Sequence, residues 1–285
     1  MGDRLFRRAL VPALGLLAAF ASRPAASQAI FGTAGDGNLA VLLPSPGVNL
    51  PTPEQVAVPG LPQDARPHGV SVIGSDRAVI ADFSRSRLHI VRVSTGTLER
   101  TVSTAGVWDG TGPIAVSPQL DAMIGAGSFH DGRRWQATFA LIRAPFDSPT
   151  ITPLAIEGHV APYQTQAIGF ARTGRAYVLT RSSDFEPDAP PATLQGWINV
   201  LDPPYASVAF RIPVENVGSG AIAVVRDGSA VLTTASGRDG RVYVFRAPYS
   251  ASSLPEVVTV PDGFALVGIH VSPDGGRALV VSAAD

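Results

Sequence analysis

Five histidines, His68, His89, His130, His159 and His270, are the only imidazoles in the 285-residue chain. They are its natural candidates for moving protons near neutral pH or for holding a metal. No two of them stand at the spacing of a helical or knuckle zinc motif. Cysteine is absent, and all 22 basic residues are arginine. A thiol nucleophile, a thiolate metal site, a Schiff base and a phosphate-loop lysine are therefore excluded. The sequence also lacks a G-x-S-x-G elbow, a G-x-G-x-x-G turn and a D-x-D-x-D-G calcium loop. What remains is acid–base chemistry by dispersed histidines and carboxylates, which acts only if the fold gathers them.

The elements that would gather them repeat. "VSVIGSDRAVIADFS" at Val70, "IAVSPQLDAMIGAGS" at Ile114, "IGFARTGRAYVLTRS" at Ile168, "IAVVRDGSAVLTTAS" at Ile222 and "IHVSPDGGRALVVSA" at Ile269 share one plan. A short apolar strand leads through a polar turn into a second strand that opens on alanine. Those alanines, Ala78, Ala122, Ala176, Ala230 and Ala278, are 44, 54, 54 and 48 residues apart. Alternation has period two throughout, with no sustained helical period. A unit of about 40–50 residues holding four strands is the size of a propeller blade. The expected fold is all-β: a β-propeller of four-stranded antiparallel blades, with four full blades and partial ones at both termini. A two-sheet sandwich also uses many short strands, but it does not require one hairpin to recur at this interval. Small inner-strand residues such as Ala115, Gly169, Ala223 and Gly268 suit the crowding near a propeller axis.

In such a fold the loops leading into each first strand meet the loops that follow each second strand. Together they collect Arg66, His68, Asp82, Arg85, Asp109, His130, Asp131, Tyr163, Gln164, Gln166, Arg181 and Asp184. This mixture of acids, arginines and amides suits a small polar ligand or a protein loop. It is also the ordinary composition of solvated turns. "SFHDGRRW" (Ser128–Trp135) partly resembles the S-x-D-x-G-x-x-W turn of sialidase-type propellers, but His130 takes the aspartate position. We read it as a hairpin loop.

"RPHGVSVIGSDRAVIADFSRSRLHIVRVSTGTLERTV", with its P-x-G-x-x-V opening and the later "VSPDG" turn, resembles a repeat of the YVTN and lactonase-like β-propeller group. The resemblance implies a propeller over essentially the whole mature chain. It constrains activity little, because that group includes lactone hydrolases as well as binding proteins. Two functional expectations follow. One is a non-enzymatic scaffold presenting its loop face to a protein or a small polar ligand. The alternative is a lactonase-like hydrolase with a polar or metal-assisted site at the channel mouth, for which His68, Asp82, Asp109 and His130 are the first residues to inspect. No cofactor is expected beyond the divalent cation that the hydrolase reading would use. The tryptophan repeats and vicinal cysteines typical of quinone-dependent propellers are missing.

Residues 1–29 read as a cleavable export signal: Arg4, Arg7 and Arg8, then the apolar Ala9–Ala21, then small residues. The expected location is secreted or periplasmic, with no membrane segment after cleavage and residues 30–285 forming the propeller. Cleavage removes four arginines and Asp3, leaving 18 basic and 22 acidic residues. Such a surface offers nucleic acid no electrostatic attraction. Both ends of the mature chain carry a partial unit. Either they complete one composite blade, making five in a closed ring, or the native ring runs on to six or seven.

Overall fold

The computed structural model describes residues 30–33, 39–42, 54–56, 60–62, 65, 67–82, 86–108, 112–130, 135–156, 167–181, 196–235, 240–261, 266–272 and 274–282. Among these residues every regular element is a strand. An amino-terminal sheet holds β1 (Ile30–Thr33), β2 (Leu39–Leu42) and β3 (Glu54–Val56). Blade 1 is β4 (Pro67–Ile73), β5 (Arg77–Asp82), β6 (Arg87–Arg92) and β7 (Thr97–Ser103). Blade 2 is β8 (Ile114–Val116), β9 (Ala122–His130), β10 (Trp135–Arg143) and β11 (Thr150–Pro153). Blade 3 is β12 (Ala167–Phe170), β13 (Ala176–Arg181), β14 (Gly196–Leu201) and β15 (Phe210–Val214). Blade 4 is β16 (Val217–Val224), β17 (Ala230–Ala235), β18 (Arg241–Arg246) and β19 (Glu256–Thr259). A final pair, β20 (Leu266–Val271) and β21 (Ala278–Ser282), repeats the opening hairpin.

All pairing is antiparallel between consecutive strands, so each blade is a meander. The first strands lie side by side in sequence order: β4 beside β8, β8 beside β12, β12 beside β16, β16 beside β20. This succession is that of sheets radiating from a common hub, as the repeat predicts. The amino-terminal sheet lies beside blade 1 through β1 and β4. It and the β20–β21 pair are two separate sheets, not one composite blade.

The core lies between blades, and period two explains how. Successive side chains of a strand point to opposite faces, and here both faces are covered. Val79 and Ala81 of β5 join Met123 and Ile142 of blade 2, while Ala78 and Ile80 point the other way. Ile124 of β9 meets Val178 and Leu201 of blade 3. Leu179 and Ile198 meet Val231 and Phe245 of blade 4, and Leu232 meets Ile269 of the last hairpin. Each fully buried Ile or Leu stabilises by about 1.5–3 kcal/mol. In a chain without disulfides these inter-blade layers carry the stability.

The small residues near the hub are there for close approach. A Cβ on Gly169 of β12 would stand 2.6 Å from Val224 Cγ2 of the neighbouring first strand. The recurring alanine is likewise a packing feature: Ala78, Ala122, Ala176 and Ala230 are all buried.

Candidate functional site

First strands begin, and second strands end, at the same end of every blade. The strand ends joined by the three longest gaps among the full blades, 104–113, 154–166 and 182–195, also lie at this end. Of the residues expected to form a site there, Arg66, Arg85, Asp109, Asp131, Tyr163, Gln164, Gln166 and Asp184 lie outside the described residues. The backbones of His68, His130 and Arg181 are placed at this end, on β4, β9 and β13. His68 is the extra residue of a register shift between Pro67 and Gly69, directly beside Asp82. Of the "SFHDGRRW" stretch, Ser128–His130 end β9 and Trp135 opens β10 paired to His130, while the turn expected between them lies outside the described residues.

The structure places the Asp82 side chain inside blade 1. Its carboxylate Oδ2 lies 3.2 Å from His89 Nε2, and both residues are completely buried. The other imidazole nitrogen, Nδ1, lies 3.0 Å from Thr101 Oγ1. Strand register brings the three together: Ile80 pairs with His89, and His89 pairs with Thr101, so these residues share one face. Asp82, two residues beyond Ile80, shares that face as well. A carboxylate is an acceptor only, so Nε2–H donates to it; when the imidazole is neutral, Nδ1 is then the acceptor for the Thr101 hydroxyl. The line thus runs hydroxyl, imidazole, carboxylate, from an exposed outer strand to a buried centre. His89 stands in the sequence as a lone polar residue within the apolar "RLHIVR". That was its only signal, because its partners are set by cross-strand register.

The same slot is filled differently in the other blades. In blade 2 Leu141 stands opposite Ile124, with Ala126 at the position of Asp82. In blade 3 Asn199 stands opposite Val178 and donates through Nδ2 to Val178 O at 3.1 Å and to Thr180 Oγ1 at 2.9 Å. In blade 4 Val244 stands opposite Leu232, with Thr234 in the Asp82 position.

The opposite end, where first strands turn into second strands, is closed by hydrogen bonds that sequence reading missed. Tyr205 donates to Gly174 O and Tyr249 to Gly228 O, both at 2.7 Å. Each ties the third-to-fourth-strand connection of its blade to the first turn. "APF", "PPY" and "APY" after the third strands of blades 2, 3 and 4 were the available signal. Burial pushes the Tyr205 phenol up to about 12, and it raises Tyr249 and Tyr177 as well. Adjacent blades are joined here too. Gln119 Nε2 donates to Arg172 O at 2.8 Å, Arg172 N to Arg226 O at 2.7 Å, and Arg143 Nη2 to Pro204 O at 2.6 Å. Arg77 pairs with Glu99 at 2.8 Å and reaches Asp147 of blade 2, holding that carboxyl below its usual range.

At this end a cavity of about 310 Å³ opens in the seam between blades 3 and 4. Tyr177 lines it and meets Tyr249 edge-to-face at 5.7 Å. Arg175 and Asp202 form its wall as a two-pronged ion pair, at 2.6 and 3.1 Å. Asp227 faces them, held below the ordinary carboxylate range by its hydrogen bonds with Ser229. His270, on β20, is half-buried, and that burial lowers its pKa. Among the described residues no three histidines or carboxylates are grouped to hold a metal, and no helix is long and apolar enough to cross a membrane.

No family model and no curated protein matches the sequence. Among solved structures the chain is similar to one titled Kuenenia stuttgartiensis Hydrazine Synthase, at 11% identity and a TM-score of 0.52, covering 90% of this chain and 92% of that one. At this identity the likeness is one of fold, and the fold it supports is the β-propeller.

Proposed function

We propose that this chain is an exported β-propeller of the YVTN and lactonase-like kind that works as a binding scaffold, presenting its loop end to a protein or a small polar ligand. The carrying observation is the spacing of strands at the loop end: the strand bounds leave 10, 13 and 14 residues between β7 and β8, between β11 and β12 and between β13 and β14, the longest gaps among the full blades. Binding residues concentrate on loops held by a rigid frame. Arg66, His68, Asp109, Asp131, Arg181 and Asp184 belong to that end by sequence position. The channel-mouth hydrolase reading is the weaker one, because Asp82, one of its four first candidates, is committed to His89 inside the blade.

Export rests on the Arg4–Ala29 pattern and implies a secreted or periplasmic location. Cross-linking of the purified mature protein in a periplasmic extract, read out by mass spectrometry, tests the scaffold reading. Cross-links are expected to map to residues 104–113, 154–166 and 182–195 and to weaken in R181A and D184A. Cross-links confined to the closed end, or saturable lactone turnover abolished by D109N, would overturn it.

A further inference from the structure

The Asp82–His89–Thr101 line has the connectivity of a nucleophile, its base and the group that orients the base. We propose that Thr101 is an activated hydroxyl that takes an acyl or phosphonyl group from an activated ester. This goes beyond the scaffold reading and lies away from the loop end.

Three observations support it. The exposures are ordered for it: His89 and Asp82 are shielded from water, whereas Thr101 is an exposed residue of the outer strand β7. The three groups are within hydrogen-bond reach in line, with the carboxylate at Nε2 (3.2 Å) and the hydroxyl at Nδ1 (3.0 Å). The fold does not demand the imidazole, since the slot holds Leu141 in blade 2, Asn199 in blade 3 and Val244 in blade 4.

In the step, Thr101 Oγ bonds to the carbonyl carbon while its proton passes to His89 Nδ1. The bond from that carbon to the leaving oxygen then breaks, and the leaving alkoxide takes the proton back from Nδ1. The products are a threonine ester and an alcohol. With a fluorophosphonate, fluoride leaves and the proton departs with it.

Blade 2 supplies an internal control. Thr152 of β11 is exposed and paired with Leu141 as Thr101 is paired with His89, so it presents the same hydroxyl without a base. The test treats the purified chain with an alkyl fluorophosphonate and follows labelling at both threonines by peptide mass spectrometry. Labelling at Thr101 is expected to run about 100-fold faster than at Thr152, the low end of what a positioned base supplies. T101S keeps the label and T101A abolishes it. H89N, which copies the Asn199 slot of blade 3, brings Thr101 down to the Thr152 rate with its melting transition intact. Equal labelling of the two threonines in the unmodified chain, or full labelling in a folded H89N, would overturn the proposal. The comparison within the unmodified chain stands even if H89N does not fold.

Discussion

Blades 1 and 2 place the same backbone around two opposite kinds of interior. In blade 2 the slot between second and third strands holds Ala126 and Leu141, both buried and both apolar. In blade 1 it holds Asp82 and His89, equally buried and joined by a hydrogen bond. Outside both stands a threonine on the fourth strand. The sheet accepts either filling because its strands are held by ladder hydrogen bonds and its faces by neighbouring blades. The polar filling is stable only as a set. A buried carboxylate or imidazole without its partner bears the full cost of desolvation, whereas an apolar pair has no such obligation.

The largest effect should come from breaking the set. Substituting His89→Leu leaves Asp82 buried without its imidazole partner, and a loss of about 3–5 kcal/mol is expected in urea denaturation. Its converse sharpens the comparison: D82A/H89L, which transplants the blade 2 filling, should recover at least half of that loss.

Packing around blade 2 gives the next effect. A Cβ on Gly125 would stand 2.4 Å from Trp108 Cη2 and within 2.9 Å of two further ring atoms. Trp108 is fully buried and cannot withdraw, so Gly125→Ala should cost about 1–3 kcal/mol by overpacking. Thermal melts would read it.

A smaller effect separates blades 2 and 3 at their closed ends. Phe146 and Tyr205 follow the third strands of the two blades, and only the tyrosine can donate to its turn. Tyr205→Phe should cost about 1 kcal/mol. Because the folded phenol is raised from 10.0 to about 12, its contribution is complete below pH 10 and is lost as pH climbs towards 12. The Phe variant should therefore show a flatter loss of stability over that alkaline window. A slope unchanged from the parent chain would refute the assignment.

The smallest effect concerns the first turn. Leu120 of blade 2 adopts a φ of 59°, where blades 3 and 4 place Gly174 and Gly228. Leu120→Gly exchanges a left-handed penalty of about 1–2 kcal/mol for the extra chain entropy of glycine. A net gain of about 0.5 kcal/mol is expected by denaturation.

Much of this architecture was legible because its signals are local. Alternation, the polar turn and the alanine that follows it lie within fifteen residues of one another. They located β4–β5, β8–β9, β12–β13, β16–β17 and β20–β21. "RLHIVRVS" and "LERTVS" likewise marked β6 and β7. The Asp82–His89–Thr101 line was not legible, because it depends on the pairing of three strands and on the register shift between Ile90 and Val91 that follows. The tyrosine contacts were hidden for a similar reason: Tyr205 reaches back 31 residues to Gly174. Asp82 reads as a loop residue because it precedes a polar turn, yet as the last residue of β5 it points inward with Ile80.

The most direct test of the central claim is a double-mutant cycle on Asp82 and His89. Stability would be measured for the parent chain, D82A, H89L and D82A/H89L by urea denaturation. If the two side chains form one buried unit, the losses will be strongly non-additive, with a coupling energy of about 2–3 kcal/mol. Losses that add to within about 0.5 kcal/mol would show that the pair is not a unit, and the reading of blade 1 would fall with it.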